Sequence, residues 1–143
     1  MEYKRLQADD LPLLDSFRDD EQTRYERSAL TQFLQNGNAF GFLAKENDSA
    51  AGFAFGYTLP RPDGKTDFYL HAIDVVREYQ RRGVGTNLMR YIAGFARSIG
   101  CRKLFLITDR QNRAACRCYE KSGAVRKAGD AVLYEYRLKE EKK

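Results

Sequence analysis

Apolar residues recur with two different periods along the chain, and each change of period predicts an element. Apolar positions three or four residues apart predict a long helix over residues 84–99. Shorter helices are predicted after Asp10, Ser28 and Asn112, since each of these can serve as an N-cap. Helices are predicted to end at Gly37, Gly100 and Gly123. Alternating or continuous apolar runs predict strands over residues 1–7, 40–44, 52–57, 68–76, 104–107 and 131–138.

The order of these elements favours a mixed sheet. It runs strand, two helices, three strands, helix, strand, helix, and then one or two strands. The turn-forming residues 47–49 predict an antiparallel hairpin between the first two of the three consecutive strands. Strands separated by helices predict parallel neighbours. A length of 143 residues is typical of one domain, so we expect a single domain over residues 1–143.

Composition narrows the class of protein. A hydrophobic content of 43% with only three prolines excludes a disordered chain. No apolar run reaches the roughly 20 residues that span a bilayer, and no signal peptide is visible, so no membrane association is expected. Three cysteines without a Cys-x-x-Cys pair and a single histidine give too few ligands for a metal site. Reduced thiols in a cytoplasmic protein are the expectation.

The net charge of +5 is unevenly distributed. Residues 1–76 carry 8 basic and 13 acidic side chains, whereas residues 77–143 carry 17 and 7. The basic half is suited to a polyanion and the acidic half tolerates a cation, although solvated surfaces also produce such asymmetry. Nucleic-acid binding is not expected, because the arginines are not interleaved with aromatic residues in a recognisable module.

The segment from Ile73 to Leu88 carries the most specific chemical signal. A predicted strand enters a short loop with glycines at 83 and 85 and then directly a helix. The free N–H groups at a helix N-terminus bind phosphate, and glycines let phosphate approach the backbone. Neither the third glycine of a dinucleotide fingerprint nor the Gly-Lys-Ser/Thr of a P-loop is present.

Two stretches identify a family resemblance. Gln80-Arg81-Arg82-Gly83-Val84-Gly85 resembles the Gln/Arg-x-x-Gly-x-Gly/Ala motif that binds acyl-CoA pyrophosphate in the GNAT superfamily of N-acyltransferases. Asn112-x-x-Ala115-x-x-x-Tyr119-x-x-x-Gly123 resembles the second family motif, with Ala124 in place of the usual phenylalanine and Cys118 in place of leucine. The resemblance implies an α/β (α+β) fold. Its mixed, mostly antiparallel sheet would have six to seven strands, about four flanking helices, and a splay at the central strands.

The resemblance also implies acetyl-CoA as cosubstrate, with no metal. The cofactor would lie where the strand ending at Val75 splays from the strand 104–107. The backbone of Ile73 and Val75 would bind the pantetheine arm. The other residues expected to bind the cofactor are Gln80, Arg81, Arg82, Gly83, Val84, Gly85, Thr86, Asn112 and Tyr119. Direct transfer to the amine would need no covalent enzyme intermediate.

Tyr119 and His71 are the candidate catalytic residues. Tyr119 matches the family tyrosine that protonates the departing thiolate, and its alternative is a half-buried helix aromatic. His71 lies in a stretch that resembles a strand of arylalkylamine N-acetyltransferases, where a histidine removes the amine proton through water. Its alternative is a histidine of the cleft wall. Strand alternation predicts that His71 shares a face with Tyr69, Ile73 and Val75. Asp74 would then lie on the opposite face as a structural carboxylate.

The acceptor is expected to be a small cationic amine. In the superfamily the first two helices wall the acceptor site, and here that region carries Asp19, Asp20 and Glu21, with Tyr69 as a further candidate. Residues 57–61 resemble the aminoglycoside 3-N-acetyltransferase branch, which suggests an aminoglycoside- or polyamine-like acceptor. The alternatives are a protein or peptide acceptor and a non-catalytic acyl-CoA-binding regulatory module. A homodimer is possible through the strand 131–138.

Overall fold

One open sheet of five strands organises the computed structural model, which describes residues 1–127 and 129–139. The strands lie side by side in chain order: β1 Glu2–Arg5, β2 Ala39–Glu46, β3 Ser49–Pro60, β4 Thr66–Val75 and β5 Lys103–Phe105. Strands β1 to β4 pair antiparallel, and β5 pairs parallel with β4. The predicted mixed sheet is confirmed. The predicted number of six to seven strands is wrong, because five are present among the described residues.

The predicted final strand, residues 131–138, accounts for the difference. These residues are described and form neither helix nor strand. Their large apolar side chains are between 69% and 90% exposed: Val132, Leu133, Tyr134, Tyr136 and Leu138. A segment with alternating apolar residues forms a strand only where a neighbouring strand supplies hydrogen-bond partners and buries its side chains, because these contacts offset the entropy lost when the segment becomes ordered. The homodimer that would use this strand stays a prediction.

Among the described residues, three α-helices and two 3₁₀ helices flank the sheet. They are α1 Arg27–Gln35, α2 Val84–Ser98, α3 Arg113–Lys121 and the 3₁₀ helices Ala8–Leu14 and Arg77–Tyr79. Within residues 1–127 and 129–139, none of the helices has the length and apolar character to cross a bilayer. The long helix predicted from periodicity is α2, and its amphipathic pattern buries Leu88 and Ile92 completely.

Several helix ends differ from the prediction. Ser28 lies inside the first turn of α1, whose N-cap is Glu26. Asp10 lies within the first 3₁₀ helix, where its carboxylate accepts a hydrogen bond from the Gln7 amide at 2.9 Å. Asn112 caps α3 as predicted. Gly100 and Gly123 adopt φ of +89° and +111°, as helix-ending glycines do, but Gly37 does not have a positive φ.

The sheet separates two apolar layers. On one face, the "α2 layer" comprises β-strand residues packed against α2 and α3, including Phe42, Phe68 and Leu70. On the other face, the "α1 layer" joins α1 and the first 3₁₀ helix to the sheet through residues that include Leu14, Leu30, Leu43 and Phe53. Each strand contributes side chains to both layers. The layer that a residue contacts therefore shows on which face of the sheet its side chain lies.

Candidate active site

The sheet opens beside the second half of β4. Pairing between β4 and β5 begins at Asp67 opposite Lys103 and ends at Tyr69 opposite Phe105. Strand β4 continues for six residues to Val75, still paired with β3 but no longer with β5. The unpaired edge of residues 70–75 therefore lies where the family resemblance implied a splay.

A β-bulge sits at the start of this open edge. Phe55 of β3 pairs with Ala72 and the next residue, Gly56, pairs with Leu70, so His71 is an extra residue in β4. Phe68 and Leu70 belong to the α2 layer before the bulge. Because the bulge adds one residue, the alternation changes phase after it.

The change of phase corrects the predicted faces. Ile73 and Val75 pack against the α2 layer, whereas the His71 ring stacks on Phe55 of the α1 layer at 5.2 Å and 15°. The prediction that His71 shares a face with Ile73 and Val75 is therefore wrong. The prediction that His71 shares a face with Tyr69 is correct, since the centroids of the two rings lie 5.6 Å apart. His71 is exposed, so it is accessible to a substrate.

The prediction that Asp74 lies on the face opposite His71 is also wrong. Asp74 lies directly opposite Phe53, which belongs to the α1 layer, and so it is on the same face as His71. Burial, followed by the charges of Asp19, Glu21 and Asp20, raises the pKa of Asp74 from its ordinary value of 3.8 to about 6. A carboxylate with this pKa is ionised at neutral pH and is a stronger proton acceptor than an exposed aspartate.

Tyr119 of α3 is half-buried and packs against the α2 layer, as do Ile73 and Val75 of the unpaired edge. Burial, followed by the charges of Cys118, Asp74 and Cys116, raises the pKa of Tyr119 to about 12. The phenol is therefore fully protonated at neutral pH and available as a proton donor. Because the charge of Asp74 contributes to this shift, the acid candidate and the base candidate lie within electrostatic range of each other.

The loop that follows β4 presents free amides. Arg81 and Gly83 adopt φ of +66° and +79°, and α2 begins immediately afterwards. Asn87 is the first residue of this region whose amide has a helical acceptor, the Gly83 oxygen at 3.0 Å. The amides of residues 81–86 donate to no protein acceptor in the part of the chain that the structure describes. Such a concave set of N–H groups at a helix N-terminus fits an anion such as a phosphate.

Three of the side chains predicted to bind the cofactor also have partners within the protein. The Gln80 amide donates to the Val75 carbonyl oxygen at 2.9 Å and so fixes the loop to the end of β4. The Asn112 oxygen accepts from the Ala115 amide at 3.2 Å as the α3 cap. The Thr86 hydroxyl lies 3.8 Å from the Cys118 sulfur, between α2 and α3. These side chains shape the site, while Arg81 and Arg82 are exposed beside the loop.

The predicted acidic acceptor residues lie in the loop between the first 3₁₀ helix and α1. Asp19 is buried and accepts from the amides of Glu21 and Thr23 at 3.0 and 2.9 Å. Burial alone would raise the pKa of Asp19, but these hydrogen bonds outweigh burial and lower it. Asp20 is exposed and pairs with Arg77 at 3.6 Å, which links the acidic loop to the 3₁₀ helix that precedes α2. Asp19 therefore holds the loop, while Asp20 and Glu21 face solvent.

Across residues 1–127 and 129–139, no three His, Cys, Asp or Glu side chains are grouped in a way that would hold a metal ion. The three cysteines form no disulfide.

Comparison with known proteins gives one family and a consistent fold. Residues 8–124 match the family model described as the acetyltransferase (GNAT) family. The sequence has no match among curated proteins.

Solved structures share this fold over nearly the whole chain. One similar structure is an aminoglycoside acetyltransferase from an uncultured soil metagenomic sample, in complex with sisomicin; it is 22% identical, with a TM-score of 0.82 and 96% of each chain covered. Another is a probable acetyltransferase, 24% identical, with a TM-score of 0.79 over 99% of this chain and 100% of that one. A third is the ribosomal-protein-alanine N-acetyltransferase of Brucella melitensis biovar Abortus 2308, 24% identical, with a TM-score of 0.74 over 96% and 100%.

Proposed function

Because this chain belongs to the acetyltransferase (GNAT) family, we propose that it transfers the acetyl group of acetyl-CoA directly to a primary amine of a small cationic molecule. The family implies acetyl-CoA as the cosubstrate. The observation that carries the proposal is the cradle of free amides over residues 81–86, which follows the unpaired edge of β4 that bears Asp74. The free cysteines suit a cytoplasmic protein.

The cofactor would be held mainly by backbone groups. The amides of residues 81–86 would bind the pyrophosphate, and the open edge of Ile73 and Val75 would bind the pantetheine arm. A Cβ on Gly85 would approach the Cys118 sulfur to 3.2 Å, so glycine allows α2 and α3 to meet beneath the cradle. Arg81 and Arg82 would add positive charge around the phosphates. Gln80 takes a positioning role through its bond to Val75.

The reaction needs three proton transfers: two protons leave the amine nitrogen, and one is gained by the departing thiolate. The Asp74 carboxylate accepts a proton from the bound ammonium, either directly or through water, and the neutral nitrogen attacks the thioester carbonyl. A C–N bond forms, the C–S bond breaks, and the Tyr119 phenol gives its proton to the departing thiolate. His71 is the second candidate for the base, since it lies on the same face as Asp74. The acylated nitrogen gives its second proton to the Tyr119 phenolate, which restores the phenol, and Asp74 releases its proton to solvent, so each turnover yields the amide, the CoA thiol and one free proton.

Charge supports a cationic acceptor. Asp20 and Glu21 are exposed on the loop whose charges act on Asp74, and carboxylates at a cleft concentrate cationic amines. Aminoglycosides and polyamines are the classes that the sequence favours, and a similar structure is an aminoglycoside acetyltransferase. A peptide acceptor is the second candidate, since another similar structure is an N-acetyltransferase of a ribosomal protein.

The proposal is tested by thiol release from acetyl-CoA with three classes of acceptor: small amines, polyamines or aminoglycosides, and peptides with a free N-terminus. We expect turnover with small cationic amines. Turnover with peptides alone would show that the acceptor is a peptide, the second candidate, and not a small amine. Binding of acetyl-CoA without turnover of any acceptor would favour a regulatory module.

Gly83→Ala should weaken both the fold and cofactor binding. Alanine at φ +79° costs about 1 kcal/mol of unfolding free energy, and the strain displaces the amides of the cradle. Denaturant unfolding and calorimetric titration with acetyl-CoA measure the two effects.

Gly94→Ala is the matched control, since Gly94 lies within α2 with open space around it. We expect it to stabilise the chain by about 0.5–1 kcal/mol and to leave acetyl-CoA affinity unchanged. Equal acetyl-CoA affinity in the two variants would contradict a phosphate-binding role for the loop.

A further inference from the structure

An aromatic cavity lies between α1 and the face of β3. Its volume is about 330 Å³, at the lower end of the range for small-molecule sites. Four rings form most of its wall: Tyr25, Phe33, Phe53 and Phe55. Tyr25 packs edge-on against Phe53 with centroids 5.0 Å apart, and Phe33 against Phe55 at 5.7 Å. These edge-to-face contacts hold the rings in place, so the cavity has a defined shape.

Two of the rings that line this cavity lie beside the candidate bases His71 and Asp74. Phe55 carries the stacked His71 ring at 5.2 Å, and Phe53 lies directly opposite Asp74 in the sheet. The charges of Asp74 and Asp19 act on the Tyr25 hydroxyl, which places that wall residue beside the acidic groups. The cavity is therefore lined mainly by apolar side chains, and His71 and Asp74 lie beside two of its rings.

Few polar groups line the rest of the cavity. Its charged lining residues are Arg24 and Glu26, and both are exposed. An aminoglycoside or a polyamine placed between the aromatic rings would lose the hydration of several hydroxyl or ammonium groups without gaining partners. A molecule with one ammonium and one apolar group would match both ends.

We propose that this cavity selects the acceptor, and that the acceptor is a primary monoamine with an aromatic ring. The inference rests on the proposed acetyl transfer and narrows its substrate class. The ring packs between Phe33, Phe53 and Phe55, and the ammonium lies at Asp74. In this position the nitrogen loses its proton to Asp74 and faces the opening from which Tyr119 protonates the leaving thiolate.

Turnover by the unmodified protein gives the first test. We expect kcat/KM for 2-phenylethylamine to exceed that for ethylamine at least about tenfold, since burial of the ring adds binding that ethylamine lacks. It should also exceed the values for spermidine and sisomicin. A higher kcat/KM for either polycation, or equal values for the two monoamines, would overturn the inference.

Filling the cavity gives the second test. Ala29 of α1 lines the cavity, and Ala29→Phe would place a new ring inside it. We expect KM for 2-phenylethylamine to rise about tenfold while KM for ethylamine and acetyl-CoA stays constant. Gln32→Phe is the control, because it adds the same ring to the same helix at an exposed position outside the cavity lining. Equal effects of the two variants would contradict the assignment.

Calorimetric binding of 2-phenylethylamine separates this inference from the proposed function. If no amine is acetylated but 2-phenylethylamine binds the protein and Ala29→Phe alone abolishes the binding, the cavity assignment stands and the acetyl transfer fails. If amines are acetylated while 2-phenylethylamine neither binds nor reacts, the acetyl transfer stands and the cavity assignment fails. If neither acetylation nor binding is seen, both are wrong.

Discussion

Tyr119→Phe should lower kcat about 100-fold or more while leaving the affinity for acetyl-CoA nearly unchanged. Phenylalanine keeps the ring that packs between α3 and the α2 layer but lacks the proton that the departing thiolate needs. Because burial raises the pKa of Tyr119 to about 12, the phenol keeps its proton across the working pH range. Steady-state rates and calorimetric acetyl-CoA binding measure the two quantities.

Tyr91→Phe is the matched control for this change. Tyr91 is a half-buried tyrosine of α2 that packs against Phe42, with centroids 6.3 Å apart. Tyr91→Phe also removes one hydroxyl, but away from the opening, so kcat should stay within about twofold of the wild-type value. A Tyr119→Phe protein with wild-type kcat would mean that Tyr119 only packs.

Asp74→Asn should nearly abolish acetyl transfer and at the same time stabilise the fold. Asparagine has the shape of aspartate but accepts no proton, so kcat/KM should fall about 100-fold. In the wild-type protein, kcat/KM should fall as pH drops through about 6, where Asp74 becomes protonated. This acidic limb should disappear from the residual activity of the variant. A limb that persists in Asp74→Asn and is lost in His71→Ala would assign the base to His71.

The stability effect follows from the direction of the pKa shift. The pKa of Asp74 is 3.8 in its ordinary environment and about 6 in the fold, so the folded state favours the protonated form. Ionisation therefore destabilises the fold as pH rises from about 3.8 to 6, and the cost is complete above 6. At pH 7.5 we expect Asp74→Asn to gain about 1 kcal/mol, after allowance for solvent screening of a half-buried group. At pH 3.5 the gain should vanish.

Asp48→Asn is the control for both measurements. Asp48 is exposed in the turn between β2 and β3, away from the opening, so neither activity nor stability should change. A loss of stability in Asp74→Asn at pH 7.5 would contradict the burial of an ionised carboxylate at this position.

The parts of the fold that the sequence predicted are those with long or specific patterns. The fifteen residues of α2 repeat apolar positions over four turns, and the glycine-rich loop before them has a distinctive spacing. The helix was found where predicted and Gly83 is its N-cap, whereas Gly85 lies in the first turn of the helix and not in the loop. The hairpin of β2 and β3 was predicted because its turn residues interrupt two apolar runs, and Asn47 adopts φ of +55° there.

The orientation of β4 could not be predicted in the same way. A bulge adds one residue without a sequence signature, so simple alternation placed His71 with Ile73 and assigned Asp74 to the wrong face. Sequence also cannot tell whether an amide side chain binds a ligand or the backbone. Asn112 matches a family motif and serves here as the cap of α3, for which asparagine is equally suited.

One wall of the aromatic cavity can be recognised from the spacing of aromatic residues on β3. Phe53, Phe55 and Tyr57 are two residues apart on β3, so they share one face of the sheet. Their relation to Phe33 and Tyr25 depends on how α1 and the preceding loop pack, which no local pattern encodes. The substrate preference therefore depends on tertiary contacts, whereas the family follows from local motifs.

Direct acetyl transfer to an amine nitrogen is tested by incubating the protein with carbon-13-labelled acetyl-CoA and 2-phenylethylamine, and following both products by mass spectrometry. We predict one labelled N-acetylamine for each CoA released and no labelled acetyl group on Cys101, Cys116 or Cys118. CoA release without labelled amide, or labelled acetyl-cysteine that forms and decays during turnover, would contradict the mechanism.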